Sequence, residues 1–217
     1  LELFRTKQET GNLSFILERH IHETFSRIES SLFSFRRRFE SGTTAGEMHI
    51  LLNNLVAANP DLFNLISIID ASGNVLLTDK KKFKPTYSGD RPFFIYHKEN
   101  PGPGLRTWGP MLGRVTGKWY IPVSLRLQNG KGRFKGILLA SVNPKYFSML
   151  FQRVNLGYES LVYLADFNGI IYSGMLGEED LGLDKIIPGN KLTGILTGKS
   201  VYSGIDASII DGVERVN

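Results

Sequence analysis

The side chains best suited to binding a ligand lie in residues 87–97, where Arg91 stands within a run of aromatic residues. Arginine presents a planar charged group to anions, and aromatic rings commonly line small-molecule pockets. The run belongs to a long insertion, residues 80–104, which is basic and punctuated by Pro and Gly. Because such an insertion must cross one face of a neighbouring sheet, we expect it to form the wall of a pocket.

The predicted strand after this insertion has two chemically different faces, because side chains alternate along a strand. One face is apolar and carries Trp119, Ile121, Val123 and Leu125. The other face carries Tyr120, Pro122, Ser124 and Arg126, and the next strand continues it with Ile137, Leu139, Ser141 and Asn143. Many antiparallel sheets leave such a face to solvent, and periodicity alone favours that alternative. The insertion must nevertheless cover a face, and this one is free, so we expect its polar side chains to be enclosed.

The sequence contains none of the common signatures of a catalytic site. It has no glycine-rich phosphate loop, no His-Glu-x-x-His motif, no Gly-x-Ser-x-Gly motif and no cysteine. His20 and His22 lie on different faces of a predicted helix, and His49 and His97 have no ligand pattern around them. We therefore predict no catalytic residue, no metal site and no bound cofactor.

The composition is that of a folded protein with a small surplus of positive charge. The 217 residues include 26 Lys plus Arg, 21 Asp plus Glu and no Cys, and 41% are hydrophobic. These values exclude a disordered tail, a collagen repeat and a disulfide-stapled scaffold. The net charge of +5 arises from short clusters, so we expect no nucleic-acid binding. The absence of Cys is compatible with an oxidising compartment.

One long amphipathic helix is predicted over residues 13–39, a stretch without Pro or Gly. Its apolar positions recur at steps of four and three residues: Leu17, Ile21, Phe25, Ile28, Leu32, Phe35 and Phe39. The helix would be about 40 Å long, which is more than one module of about 100 residues requires. Its apolar seam is either a dimer interface or a surface that packs on a sheet.

A predicted β-hairpin occurs twice in the chain. The first copy has Asp70 and Gly73 in its turn, and 96 residues later Asp166 and Gly169 occupy the same places. The strands that these turns join are predicted at 65–70, 75–78, 161–166 and 170–173. The spacing matches the size of one module, which indicates two tandem copies of one α/β unit.

The other elements complete one module and begin a second. They are a helix at 46–58, an antiparallel meander of strands at 105–112, 118–127 and 133–142, a connecting helix from Asn143 to about Val154, a glycine-rich loop at 174–198, a strand near Val201 and a turn at Asp211 and Gly212. No window approaches the roughly 18 apolar residues of a membrane span. We expect the second module to end beyond Asn217.

Several of these features, in this order and spacing, resemble the double Cache sensor domain attached to bacterial diguanylate cyclases and histidine kinases. They are the long N-terminal helix, the repeated hairpin, the segment 90–94 (Asp-Arg-Pro-Phe-Phe), and the run 109–119 that leads to 132–136. The resemblance implies an α+β fold in which two PAS-like modules, each with an antiparallel sheet, follow a long N-terminal helix. The implied parts are helices at 1–59, a membrane-distal module at 60–142, a connecting helix at 143–158 and a C-terminally truncated membrane-proximal module at 159–217.

The resemblance further implies an extracytoplasmic domain, periplasmic or extracellular, of a bacterial inner-membrane protein. The fragment would be a sensor and not an enzyme, and its membrane-anchored parent would carry a cytoplasmic diguanylate cyclase or kinase domain. In the amino-acid-binding subgroup of the family, an Arg-Pro-Trp-Tyr-like element holds the ligand carboxylate and an acidic residue holds the ammonium. Arg91 matches that arginine, whereas Phe93 and Phe94 replace Trp and Tyr, and Ser141 occupies the acidic position.

These departures favour a small organic anion, such as a carboxylate, over an α-amino acid, because a buried ammonium without a carboxylate partner is costly. The predicted ligand-binding residues are Arg91, Phe93, Phe94, Tyr96, Trp108, Tyr120, Ser124, Arg126 and Ser141. Signals would pass along the long helix, through which two copies would pair. The alternative is a Cache-like module in the same receptor class that binds a protein and no small molecule. An enclosed polar sheet face would favour the sensor, and a solvated one the interaction module.

Overall fold

The computed structural model describes residues 2–102, 104–154, 160–166, 168–183, 205–207 and 214–216. The contacts of the chain divide it into two compact units. The larger unit is Phe25–Pro144, and the other combines the chain up to Thr24 with the chain from Lys145 onward. Among the described residues, no helix is both long and apolar enough to cross a bilayer.

Two helices open the chain, α1 (Glu2–Glu40) and α2 (Ala45–Ala58). The first is longer than predicted, because it begins well before Leu13 and includes Gly11. A capping box starts α2: the Thr44 hydroxyl accepts a hydrogen bond from Glu47 N, and the Glu47 carboxylate accepts one from Thr44 N. Four residues of the predicted seam in α1 are buried within the chain itself: Leu17, Ile28, Leu32 and Phe35.

The larger unit contains one antiparallel sheet. Its strands are β1 (Phe63–Asp70), β2 (Val75–Thr78), β3 (Leu105–Thr107), β4 (Met111–Leu112), β5 (Trp119–Gln128) and β6 (Phe134–Val142). The strand order is β2-β1-β6-β5-β3, and β4 also pairs with β5. The single strand predicted at 105–112 is wrong, because residues 108–110 leave the sheet and divide it into β3 and β4.

Both faces of this sheet are buried. The apolar face includes Ile121, Val123 and Leu125, which are fully buried, and α2 packs against β1 and β2. Trp119 was predicted on the same face but is 47% exposed, because it stands at the very start of β5. The polar face is covered by a helix, α3 (Pro92–Glu99), which lies inside the insertion and packs against β5 and β6. The enclosure predicted for the polar face is therefore confirmed.

The described residues of the second unit form α4 (Lys145–Gln152) and five further strands. These are β7 (Leu161–Ala165), β8 (Ile171–Leu176), β9 (Glu179–Asp180), β10 (Ile205–Ala207) and β11 (Glu214–Val216), with β7, β8 and β9 in one sheet and β10 paired with β11. The glycine-rich loop was predicted to begin at Gly174, but β8 includes that residue. The strand near Val201 and the turn at Asp211 and Gly212 lie outside the described residues.

The predicted repeat of the hairpin is confirmed at the level of individual hydrogen bonds. Asp70 Oδ1 accepts from the backbone nitrogens of the second and fourth residues after it, both at 2.9 Å. Asp166 Oδ1 accepts from the corresponding two nitrogens, also at 2.9 Å. Gly73 (φ 93°) and Gly169 (φ 82°) adopt the left-handed backbone that closes each turn. The two units therefore share the same aspartate-anchored turn.

Candidate functional site

A pocket opens on the polar face of the sheet in the larger unit. It is narrow, with a cavity volume of about 20 Å³, which is room for about one water molecule, so an organic ligand would have to widen it. The strands contribute Leu65, Ser67, Ile69, Val75, Tyr120, Leu139 and Ser141 to its lining. The connecting segments contribute Ser88, Arg91, Gly113, Arg114, Val115 and Thr116. We call this space the arginine pocket.

Arg91 is placed at the pocket by the start of α3. It precedes Pro92, and a residue before proline is disfavoured in the helical region, so Arg91 has extended backbone angles (φ −76°, ψ 143°). Its Nη2 donates a hydrogen bond to the Leu112 carbonyl at 2.8 Å, and its Nη1 lies 3.7 Å from the Met111 sulfur. Neither partner is charged. Among the described residues, no carboxylate forms an ion pair with Arg91.

A second guanidinium, that of Arg114, lines the same pocket. The tight turn at 113–117, between β4 and β5, carries it. Arg114 donates to both carboxylate oxygens of Asp90, at 2.6 and 2.7 Å, and to the Tyr87 carbonyl at 2.8 Å. The bidentate pair lowers the pKa of Asp90 to about 2 and raises that of Arg114. The charge of Arg114 is therefore already paired with the Asp90 carboxylate.

The strands supply hydroxyl groups to the lining. Burial raises the pKa of Tyr120 to about 12, so its phenol stays neutral and can donate a hydrogen bond at physiological pH. Ser67 and Ser141 are also buried and line the pocket from β1 and β6. The lining thus combines two positive charges with neutral hydroxyls, which suits an anion.

Phe93 and Phe94 face the sheet from α3 and are almost completely buried. They belong to a core cluster with Ile69, Tyr120, Ile137 and Leu139. Neither phenylalanine lines the pocket. Their packing against Tyr120 instead fixes the position of a residue that does line it.

A second polar group lies under α3 and includes His97, Trp108 and Ser124. The Ser124 hydroxyl accepts a hydrogen bond from Trp108 Nε1 at 2.8 Å and lies 3.0 Å from His97 Nε2. Burial, together with the positive charges of Arg126 and Arg106, lowers the pKa of His97 to about 4. His97 is therefore neutral at physiological pH. We call these three residues the His97 cluster.

Arg126 is buried beside the His97 cluster and not in the pocket. Its guanidinium donates to the carbonyls of His97 and Gly132, and lies 4.7 Å from the centre of the Phe134 ring. Burial lowers the pKa of Arg126. Tyr96 packs edge-on against Trp108 and lies under the guanidinium of Arg106, 4.1 Å from the centre of the tyrosine ring.

The fold matches those of several proteins of known structure. Neither a protein-family model nor a curated protein sequence matches the chain, whereas 61 solved chains match its structure. The extracellular domain of the proposed histidine kinase rpHK1S-Z16 has a TM-score of 0.80 at 23% identity, covering 94% of this chain and 84% of that one. The ligand-binding domain of the Campylobacter jejuni chemoreceptor Tlp3, solved with 4-methylisoleucine, has a TM-score of 0.61 at 13% identity. The match covers 79% of this chain and 70% of that one. The sensor domain of the Vibrio cholerae histidine kinase DctB has a TM-score of 0.56 at 11% identity. That match covers 80% of this chain and 68% of the DctB domain.

These neighbours are sensor domains whose folds match this one over most of its length. The chain has their Cache-type fold. The fold class predicted from the sequence, α+β with a long N-terminal helix and antiparallel sheets, is therefore confirmed.

Within this Cache fold, the predicted ligand-binding residues separate into three groups. Arg91, Tyr120 and Ser141 line the arginine pocket together. Phe93 and Phe94 pack in the adjoining core. Tyr96, Trp108, Ser124 and Arg126 lie in or beside the His97 cluster, and none of these four lines the pocket.

The Cache-fold pocket also contains residues that the sequence analysis did not select. Ser67 was detectable in principle, because it is the one polar residue between Leu65 and Ile69 in an otherwise apolar strand. Arg114 lies in the run 109–119, but nothing in the sequence pairs it with Asp90, 24 residues earlier. In the described part of the chain, no three His, Asp or Glu side chains are grouped so as to hold a metal ion.

Proposed function

We propose that this chain is the extracytoplasmic sensing domain of a transmembrane signalling receptor and that it binds a small organic anion, such as a carboxylate, in the arginine pocket. The site would lie in the membrane-distal module. The fold supports the general assignment, because the neighbours include an extracellular histidine-kinase domain and a chemoreceptor ligand-binding domain. The specific ligand class rests on the pocket itself.

The observation that carries the proposal is the environment of Arg91. Its guanidinium lines a pocket, yet its recorded partners are a carbonyl and a thioether, both uncharged. A positive charge held in this way gains most from an anionic ligand, because charge-assisted hydrogen bonds are the stronger ones. Tyr120 and Ser141 add hydroxyl donors beside it.

The same lining disfavours an α-amino acid. An ammonium group requires a carboxylate or several carbonyl acceptors when it leaves water. Among the described residues of the lining, the ionisable side chains are Arg91, Arg114 and Tyr120. By the resemblance given above, Ser141 occupies the position of the acid in the amino-acid-binding subgroup. A ligand with a carboxylate and no ammonium therefore suits the pocket better.

The enclosure of the polar sheet face supports a ligand sensor over a module that binds only proteins. Ser124, Arg126 and Ser141 are at most 5% exposed. A protein partner would need these side chains at the surface in order to contact them.

Under the proposal, Arg91, Tyr120 and Ser141 contact the ligand. Phe93, Phe94, Tyr96, Trp108, Ser124 and Arg126 form the wall behind them.

The test is a thermal-shift screen followed by calorimetry, with carboxylates, amino acids, amines and phosphates as the panel. A ligand present at 100 times its Kd should stabilise the protein by about 2.7 kcal/mol. We expect carboxylates to shift the melting temperature of the parent. Arg91→Ala should weaken their binding about tenfold to a hundredfold, because it removes a charged hydrogen-bond donor.

Arg133→Ala is the matched control, since Arg133 is exposed, lies in the same unit and does not line the pocket. It should bind carboxylates as the parent does. Binding of an α-amino acid in preference to every carboxylate would overturn the ligand class. If no member of the panel shifts either protein, the interaction module becomes the better proposal.

Transmission along α1 and homodimerisation through it also belong to the proposal. A ligand transmits a signal only when it binds one conformation better than another. The helix has 39 residues and, at 1.5 Å per residue, a length of about 58 Å, so it can carry a displacement far from the pocket. Because Ile28, Leu32 and Phe35 are buried in the chain, a second copy would contact other residues of α1, such as the exposed Phe15 and Ile16.

Sedimentation velocity over a range of concentrations tests the dimer, with Phe15→Ser as the variant. We expect the parent to associate more strongly than the variant. A parent that remains monomeric at every concentration, with and without ligand, would contradict pairing by this domain.

A further inference from the structure

The two arginines of the pocket differ in what already binds them. In the described part of the chain, the hydrogen-bond partners of Arg91 are uncharged, whereas the Asp90 carboxylate binds Arg114 through two short hydrogen bonds. Arg114 also donates to the Tyr87 carbonyl from the same Nη1 that reaches Asp90. Both protons of Nη1 are thus in use, and a ligand can reach this guanidinium only through its remaining donors.

The charges around the pocket can be counted from these contacts. Asp90 remains ionised throughout the physiological range, because Arg114 and, more weakly, Arg91 lower its pKa to about 2. Tyr120 is neutral, and the other residues of the lining do not ionise. Two guanidinium charges and one carboxylate leave the site with a single net positive charge.

We infer that Asp90 is a specificity-determining residue, which holds the net charge of the arginine pocket at one positive unit and so selects monoanionic ligands over dianionic ones. This inference rests on the proposed function, because it names the ligand class of the same site. A monoanion neutralises Arg91 and leaves the pair of Asp90 and Arg114 intact. The second carboxylate of a dianion would either meet no free cation or displace Asp90, leaving that carboxylate unpaired beside the ligand.

The size of the effect follows from Coulomb's law in a partly solvated site. Asp90 is about half exposed, so water screens its charge strongly. Removing one negative charge about 6 Å from a ligand should strengthen binding of a monoanion about threefold and of a dianion about tenfold. The ratio of the two affinities is therefore the quantity to measure.

The experiment is isothermal titration of the whole chain with two matched pairs of probes. Butyrate and succinate have the same number of carbons and differ in one carboxylate, as do 3-hydroxybutyrate and malate. The variant is Asp90→Asn, which keeps the shape and removes the charge. The control is Glu99→Gln, which removes a charge from the exposed far end of α3.

We expect the parent and E99Q to bind the monoanion of at least one pair more tightly than its dianion. In D90N, the ratio of the monoanion affinity to the dianion affinity should fall about threefold. A parent that prefers the dianion, or a D90N protein with an unchanged ratio, would overturn the role of Asp90 and leave the anion sensor intact. If none of the four probes binds the parent or D90N, the proposed function fails, and this inference fails with it.

Discussion

His97 Nε2 lies 3.0 Å from Ser124 Oγ, in the layer between α3 and the sheet, where both residues are completely buried. The other ring nitrogen, Nδ1, is buried and has no hydrogen-bond partner among the described residues. A buried imidazole with one partner is tolerable when neutral and costly when protonated. The packing of α3 on the sheet therefore depends on the protonation of His97.

We expect acid to destabilise the fold through His97. The folded-state pKa, about 4, is below the ordinary value of 6.5, so the unfolded chain binds the proton more tightly. The free energy of unfolding should therefore fall as the pH decreases from about 6.5 to about 4, by about 3 kcal/mol, and this contribution should be constant below that range. Urea unfolding followed by circular dichroism at pH 7, 5.5 and 4 measures it.

The matched variants for this measurement are His97→Gln and His22→Gln. Glutamine at residue 97 cannot be protonated, so H97Q should be less stable at pH 7 but should lose less stability on acidification. His22 is exposed, and H22Q should keep the pH dependence of the parent. Equal losses in the parent and H97Q would show that other groups cause the acid sensitivity.

Gly136 should not tolerate any side chain. Its φ is 127°, and a Cβ there would stand 1.9 Å from the Ile69 carbonyl oxygen on the neighbouring strand. Gly136→Ala should lower the free energy of unfolding by about 3 kcal/mol, because backbone atoms of β1 or β6 must move. Gly130→Ala is the control, since its Cβ would meet nothing within 4 Å. Similar melting temperatures for the two variants would contradict the close approach.

The capping box at the start of α2 should contribute measurably to stability. Thr44→Ala removes the hydroxyl that accepts from Glu47 N and should cost about 1 kcal/mol. Thr43→Ala, one residue earlier, removes a hydroxyl that takes no part in the cap. Chemical denaturation of both variants measures the difference, and a T43A protein as destabilised as T44A would argue against a specific cap.

Tyr120 should serve binding through its hydroxyl and folding through its ring. Tyr120→Phe keeps the ring in the core cluster, so the melting temperature should change little. Loss of one hydrogen-bond donor should weaken carboxylate binding about fivefold, as measured by calorimetry. Tyr163→Phe, in the other unit, is the control and should bind like the parent. A Y120F protein of unchanged affinity would remove Tyr120 from the proposed contacts.

Much of the sheet could be predicted because short-range signals determine it. The hairpin at Asp70 needs a side chain that accepts two backbone hydrogen bonds and a glycine three residues later, and both are visible in the sequence. The strand predicted at 75–78 matches β2. Alternation along β5 separated its two faces correctly, with Trp119 the exception at the strand end.

The helix beside the pocket and the nearby ion pair could not be predicted in the same way. α3 has only eight residues, opens with Pro92 and is buried at Phe93, Phe94 and His97 by packing that the local sequence does not reveal. The approach of Asp90 to Arg114 depends on where α3 and the turn before β5 meet, which is a tertiary property. The arrangement of strands also depends on long-range pairing, since β1 lies beside β6 and not beside β3.

The two tryptophans of the chain differ in burial, since Trp108 is partly buried and Trp119 is exposed. Trp108 donates its indole hydrogen to Ser124 inside the His97 cluster, whereas Trp119 is 47% exposed on β5. Iodide should therefore quench the emission of Trp119 preferentially and leave a blue-shifted component from Trp108. That residual fluorescence reports on the layer beneath α3 without any label, so closure or loosening of α3 when an anion enters the neighbouring pocket can be followed in real time.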